Sequence, residues 1–513
     1  MDPNNGRSSK KRWKIFGAFK SATKSSSSNP RTSQNVSPGA GPVPQGKRSH
    51  LHDAIRDRNL VTVRKIVKAH PHEVHLADDQ GTTPLVLAVL LGNLSIAKFL
   101  YESGACLMPQ HNNDESLMYL AVLRESIPIV TWLAELRPPG MDHAAFLNAR
   151  DPSGAAALHI SVGKSLIDST RILLENGADP NVLVCEAPSG VSFGTVCISN
   201  KTIPIDRAAP LTFAVAEGIN IDSKKLVAMV KLLTQHGAAT NIPEGASGAF
   251  PLHTAVYHDD PALIDAILDG PLDPALRAPV DVGSTPMHSE VMHGSTPLMY
   301  AATQGRFRAV KHLILRGADP TRVNNFGETG VHWAATGFKG LELGLDPEGN
   351  EHVRAAIIRM LVRGTDAGID DAYNKDNDDD YDDDDDDNDN DDDEEKEKDG
   401  ERTPAPRWKP CDVNIRTQLG STALHAAAWM GWLRITKTLL KLGADPFVMA
   451  EGIHIETVQN ARGTPAQYAR LKGHFELAEV IDKWGRKLKK KREKEKKKKK
   501  GKAEEAEKGA GAS

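Results

Sequence analysis

Four histidines, His159, His253, His332 and His425, occupy the fourth place of a recurring phrase best written Thr-Pro-Leu-His. An imidazole titrates near neutral pH and is the side chain first suspected of general-base or metal-ligand work. Either role needs company, a nucleophile within reach or further converging ligands. Here each histidine recurs once per copy of the phrase, which is what a structural role in a stacked array produces. A second candidate chemistry is cation binding by Asp378 to Asp387, which is rich in carboxylate oxygen. It lacks the sixth-position Gly and twelfth-position Glu of a tight calcium loop. Weak, non-stoichiometric cation binding is the limit of that reading; a solvated polyanion facing basic proteins or the chain's own Lys-rich tail is the stronger one. Cys106, Cys185, Cys197 and Cys411 form no CxxC pair. Their spacing argues against zinc and against a disulfide framework, and for a reducing compartment. No phosphate-binding glycine loop, Gly-x-Ser-x-Gly elbow or His-Glu-x-x-His is present. The chain therefore reads as a non-enzyme with no metal and no cofactor. Asn200-Lys201-Thr202 matches a glycosylation acceptor, which without a signal peptide reads as chance.

The net charge of -4 conceals segregation. No Asp or Glu occurs from Pro3 to His52, the stretch from Asp376 to Asp399 is almost wholly acidic, and that from Lys483 to Lys500 almost wholly basic. The basic tail reads as a nuclear or nucleolar address, a non-specific nucleic-acid arm, a solubilising tail or an extension of the last helix. It carries no interleaved aromatics for base stacking. Near the start, Lys10 to Lys20 places Trp13, Phe16 and Phe19 three apart among basic residues. That suits an anionic surface, a helical partner or, less well, a transit peptide. Phosphorylation in Ser25 to Ser28 would oppose membrane attraction. No stretch reaches the ~20 apolar residues of a membrane span, and no apolar leader follows the first residues. The expected location is intracellular, nucleus or cytoplasm.

The elements that must position these residues follow from the same phrase. Its anchor apolar residue recurs at 51, 85, 118, 158, 211, 252, 298, 331, 424 and 466; the gaps 51 to 85, 85 to 118 and 298 to 331 are 33 or 34 residues. Thr82 or Thr83 can cap a helix that Pro84 opens. Leu85, Ala88 and Val89 line one face, and Gly92 ends the helix, as Gly305 and Gly431 do later. A second helix carries Ile96, Phe99 and Leu100, or Val310, Leu313 and Ile314. Gly317 stops it, and Asp319-Pro320 starts a turn to the next unit. Each helix is too short to be stable alone, so neighbours must supply the stability.

With Gly177-Ala178-Asp179-Pro180-Asn181, Gly317-Ala318-Asp319-Pro320 and Gly443-Ala444-Asp445-Pro446 added, the pattern resembles ankyrin repeats. The resemblance implies an all-α solenoid of about ten stacked helix pairs with β-turn connections, disordered termini and an acidic low-complexity insert. The expected layout is a disordered basic region at 1–48, repeats at 49–365, a disordered acidic insert at 366–410, repeats at 411–485 and a disordered Lys-rich tail at 486–513. The copy near 116–136 is degenerate, with Leu117 in place of Pro. Further insertions fall at 183–207, 270–292 and 338–351, the last between the two helices of one repeat.

In that family the positions after the Ala-Ala of each first helix face the concave surface. They are Leu90 and Leu91, Leu123 and Arg124, Tyr257 and His258, Thr303 and Gln304, and Trp429 and Met430. Aromatics, Met and Arg are enriched where partners dock; the alternative is that these side chains fold over inserted loops instead. Turn-tip residues Arg322, Asn325, Arg416 and Gln418 are further candidates. Trp333 sits at a core position. The leading expectation is a scaffold or adaptor binding a protein on the concave face. The alternative is a nuclear or nucleolar nucleic-acid- or chromatin-associated factor acting through weak contacts of Lys483 to Lys500 and Lys10 to Lys20. Charge segregation adds the expectation that the acidic insert masks the basic tail.

Overall fold

In the computed structural model, residues 50–510 are described except 108–115, 139, 152–153, 185–194, 199–200, 205–207, 218–221, 245–247, 286–293, 338–346, 366–406 and 454–457. The expectations attached to Lys10 to Lys20, Ser25 to Ser28, Cys185, Asn200 and the acidic stretch 376–399 fall outside the described residues. The chain divides into two units, Met1–Pro44 and Gln45–Ser513. The described residues belong to the second.

Among the described residues, ten helix pairs follow one another. They are α1 (His50–Arg56) with α2 (Leu60–Ala69), α3 (Pro84–Leu90) with α4 (Leu94–Glu102), and α5 (Leu117–Leu123) with α6 (Ile127–Glu135). A short α7 (His143–Leu147) precedes α8 (Ala157–Gly163) with α9 (Ile167–Glu175). Next come α10 (Pro210–Glu217) with α11 (Ser223–Gln235), α12 (Pro251–Ala255) with α13 (Pro261–Leu268), and α14 (Pro297–Thr303) with α15 (Phe307–Leu315). The last are α16 (Gly330–Thr336) with α17 (Pro347–Arg363), α18 (Ala423–Met430) with α19 (Leu433–Lys441), and α20 (Pro465–Leu471) with α21 (Phe475–Ala510). First helices pack on first helices in chain order from α1 to α20. Second helices form the other layer, α2 on α4 and then α6 through α21. The expected all-α stack of helix pairs is what the chain forms.

Local chemistry explains each start and stop. Thr83 is the N-cap of α3, its hydroxyl accepting from Val86 N at 3.4 Å, and Pro84 follows at the first turn. In the degenerate copy Ser116 takes over, accepting from Tyr119 N at 3.1 Å, and Leu117 is buried where Pro was missing. Gly92, Gly305 and Gly431 lie at φ of 70, 66 and 79°, the left-handed geometry that ends a helix without a Cβ penalty. Ala88, Ala121, Ala301, Ala334 and Ala427 are fully buried between layers, letting helices approach. Neighbouring units are laced by the Asp/Asn turn: Asn414 Oδ1 accepts from Asp445 N at 2.8 Å and Asn414 Nδ2 donates to Gly443 O at 3.1 Å. Asn181 does the same for Ala239 N and Gly237 O.

Three findings modify the expectations. Among the described residues, two antiparallel hairpins occur within insertions, β1 (Thr195–Ile198) with β2 (Lys201–Pro204) and β3 (Ala450–Ile453) with β4 (Val458–Gly463). The insertion at 338–351 is shorter than expected, because α17 already begins at Pro347. The segment from 486, expected to be disordered, continues α21 to Ala510. Its Lys, Glu and Ala residues are good helix formers, and the packed first turns of α21 provide the nucleus that an isolated segment lacks.

Candidate protein-binding face

The recurring histidines are structural. The ring Nδ1 accepts the backbone N–H at the start of its own helix: Ala156 to His159 at 3.1 Å, Phe250 to His253 at 3.1 Å, Thr329 to His332 at 3.2 Å and Thr422 to His425 at 3.1 Å. That fixes the proton on Nε2, which points to the next unit. His159 donates to Ala208 O at 3.3 Å and His253 to Ser295 O at 2.8 Å, each the residue just before the next helix cap. The backbone of Ser421 and of Gly463, the equivalent residues, faces His332 and His425. His52 joins the series, reaching Thr82 O at 2.9 Å. Burial pushes His159, His253, His332 and His425 down to about 4, so the four rings are neutral at physiological pH. Among the described residues no three His, Cys, Asp or Glu side chains gather as metal ligands would.

Stacking brings the expected face residues into one row at the ends of the first helices. Leu90, Leu91, Leu123, Tyr257, His258 and Met430 are half-buried, and Arg124 is exposed. Several of their carbonyls and rings are engaged by adjacent units. Arg58 donates to Leu91 O at 3.3 Å; Lys164 donates to Leu123 O at 2.8 Å and pairs with Glu125 at 2.7 Å. His258 donates to Val215 O at 2.8 Å, capping the end of α10, and burial lowers its pKa. Tyr257 leans edge-on against Tyr300 at 6.3 Å, and Tyr300 stacks on Trp333 at 5.5 Å. Thr303 and Gln304 are buried.

Trp429 departs from the expected exposure. Only 6% of it is accessible. Tyr468 lies edge-on at 5.9 Å, Lys472 Nζ sits 4.2 Å from the ring centroid, and Ala450 of β3 packs against it. The insertion hairpin and the last repeat cover the indole, which makes its role here packing. The turn tips are the opposite case. Arg322, Asn325, Arg416 and Gln418 are all exposed. Asn324 Oδ1 accepts from Phe326 N at 3.0 Å and Glu328 N at 2.9 Å, setting one turn. Gln418 N donates to Phe326 O at 2.9 Å and its side-chain amide to Asn325 O, while Glu451 N donates to Leu419 O at 2.8 Å. Gly327, at φ +79°, allows the approach: a Cβ there would lie 3.2 Å from Thr417 Cα. Three successive turns thus form one hydrogen-bonded edge. Val323, 47% exposed, and Met449, 42% exposed, stand on it beside Arg322 and Arg416.

Sequence reading missed Arg354. Its side chain is 1% exposed, donates Nη1–H to Ala334 O at 3.0 Å and lies over the Trp432 ring at 4.4 Å. Burial lowers it to about 10. Trp432 in turn donates to Thr336 O at 3.0 Å, and Glu351 accepts from Ile435 N at 3.1 Å. These contacts tie α16, α17 and α19 together across the insertion at 338–346. The available signal was an Arg, one of two with Arg359, within the otherwise apolar run Val353 to Leu361.

Helix pairs stacked in two layers and joined by laced turns define a repeat-built interaction module. The family model described as Ankyrin repeat matches residues 80–112, 293–325 and 419–450. These three stretches are ankyrin repeats. It is similar to the E3 ubiquitin-protein ligase KEG of Arabidopsis thaliana, 23% identical over 63% of this chain and 19% of that protein. It also resembles the B-cell lymphoma 3 protein homolog of Mus musculus, 26% identical over 50% of this chain and 48% of that one. The chain thus spans less than half the length of these two relatives. A crystal structure of the ankyrin repeat domain of Bcl-3, a member of the IkappaB protein family, is 26% identical and aligns with 53% of this chain and 100% of its own, at a TM-score of 0.40. So loose an overlay adds nothing to the assignment, which rests on the repeat matches and the helix pairs.

Proposed function

We propose that the chain is a non-enzymatic scaffold that holds a protein partner against the row of first-helix ends and the laced turn tips. Ankyrin repeats are a protein–protein interaction module; the particular face is the added step. The observation that carries it is the edge around Arg322, Val323, Arg416 and Met449, where basic and apolar side chains stand exposed on hydrogen-bonded turns. A rigid support lowers the ordering cost of binding, and Arg and Met suit partner contact. Tyr257, Met430, Leu90, Leu91, Leu123 and Arg124 extend the face along the stack. The module's matched relatives include a ligase, but the chain spans 19% of it, so ligase activity is not carried over.

The test uses the full chain. A partner captured by the wild type and identified by mass spectrometry is purified and titrated against the Arg322→Glu/Arg416→Glu double variant. Affinity should fall at least about tenfold, the result of placing two charges of the wrong sign on the edge. Unchanged affinity with a correctly folded variant removes the turn tips from the site. A second reading, association with nucleic acid in the nucleus, draws on helix α21, whose residues from Lys489 to Lys497 are all exposed. Such binding must weaken steeply with salt, and salt-insensitive binding rejects it.

A further inference from the structure

Among the described side chains of helix α21, the buried and half-buried ones lie at its beginning. Leu477, Ala478 and Ile481 are buried, and Leu488 is half-buried. Two contacts then mark where it leaves the stack: Lys489 Nζ lies 4.8 Å from the Phe447 ring, and Arg492 reaches Asp445 at 3.4 Å. The helix continues to Ala510. The 22 residues from Lys489 add roughly 33 Å at ~1.5 Å each. Residues 483–500 hold thirteen Lys and Arg against two Glu. So dense a row of like charge repels itself, and an anionic occupant would relieve the repulsion.

The acidic insertion begins close by. Residues 366–406 hold twenty-two Asp and Glu against four Lys and Arg. Both flanks are held at one point of the stack: Arg407 N donates to Gly364 O at 2.7 Å, Trp408 N to the same oxygen at 3.2 Å, and Cys411 N to Leu361 O at 2.9 Å. From that stem the path to the tail runs through one laced turn. Cys411 leads to Asn414, Asn414 Oδ1 holds Asp445 N at 2.8 Å, and Asp445 holds Arg492. The stem follows the end of α17 and the basic surface is the far part of α21, second helices separated only by α19. At ~8–10 Å per helix the lateral distance is roughly 20 Å. An insertion of 41 residues has a contour of roughly 135 Å, so length does not limit the contact.

We propose that residues 376–399 of the same chain occupy the basic surface of α21 from Lys489 onward, and that external polyanions bind this helix only by displacing them. The tether is the physical reason for choosing this occupant. A segment anchored two units away meets the helix at an effective concentration that a free polyanion must exceed. The contact is independent of the turn-tip face, so either can fail without the other.

Two measurements on the full chain test it. Zero-length carbodiimide coupling at low salt should join lysines of 489–500 to carboxylates of 376–399. The yield should be independent of protein concentration and lost at high salt. Absence of these links overturns the proposal, and so does a yield that grows with concentration, which would place the contact between copies. The second compares the wild type with a variant carrying Asn at Asp378, Asp379, Asp380 and each Asp from 382 to 387. A fluorescent duplex DNA serves as a polyanion probe. The variant should bind it at least about tenfold more tightly at low salt, the difference closing as salt rises. Equal affinity at low salt overturns masking.

Discussion

At the residue scale, the histidines cap their own helices through Nδ1, and His159 and His253 also bond the next repeat through Nε2; their burial makes stability depend on pH. Burial lowers His159, His253, His332 and His425 from 6.5 to about 4. The unfolded chain binds protons as pH falls through 6.5, whereas the folded chain resists until about 4. Stability is therefore full above 6.5, declines between those values and levels off below about 4. Each ring contributes up to about 1.4 kcal/mol per pH unit in the window. The urea midpoint should fall across it, and His253→Gln should give a shallower decline; parallel curves for both proteins would contradict the assignment. Trp429→Ala should act on folding, with a cost of about 3–5 kcal/mol from the emptied site. Urea unfolding reads this directly, and a loss under about 1 kcal/mol would mean the indole is not a packing residue. The histidines were legible because they recur. The burial of Trp429 was not, because Tyr468, Lys472 and Ala450 come from other elements.

At the element scale, the insertions leave the stack and return at one place. Val184 N meets Ala208 O at 3.1 Å, Ser284 N meets Ser295 O at 3.0 Å, and Arg407 N meets Gly364 O at 2.7 Å. A closed stem lets the helix before it and the turn after it form regardless of what lies between. Replacing 366–406 by a short Gly-Ser link should therefore change stability by no more than about 1 kcal/mol, measured by thermal unfolding. A collapse of the transition would show that the insertion itself holds repeats together. The hairpin of β3 and β4 and the reach of α21 to Ala510 were harder to read. Both segments are too short or too charged to carry an apolar period, so their form depends on what they are attached to.

At the scale of the whole molecule, each described helix pair buries its apolar face against a neighbour, so stability is shared between adjacent pairs. Truncation after Gly463 removes α20 and α21, and with them the covers of His425 and Trp429. The shortened chain should melt at a lower temperature and bind a hydrophobic dye, whereas an unchanged melting curve would mean the last unit is a dispensable addition. The same sharing makes the turn edge useful: side chains from three units are held in fixed relation by backbone bonds that no single unit supplies.

The repeat phrase by itself determined the helix pairs, their order and their capping, because these depend on residues within a few positions of one another. It also placed Arg322, Asn325, Arg416 and Gln418 at turn tips. Only the tertiary structure decided which face residues stay open, that Trp429 is covered, that Arg354 is buried against Trp432, and that the acidic stem lies one laced turn from the basic helix. Those outcomes join residues tens of positions apart, where contact is set by how the layers stack and not by local preference.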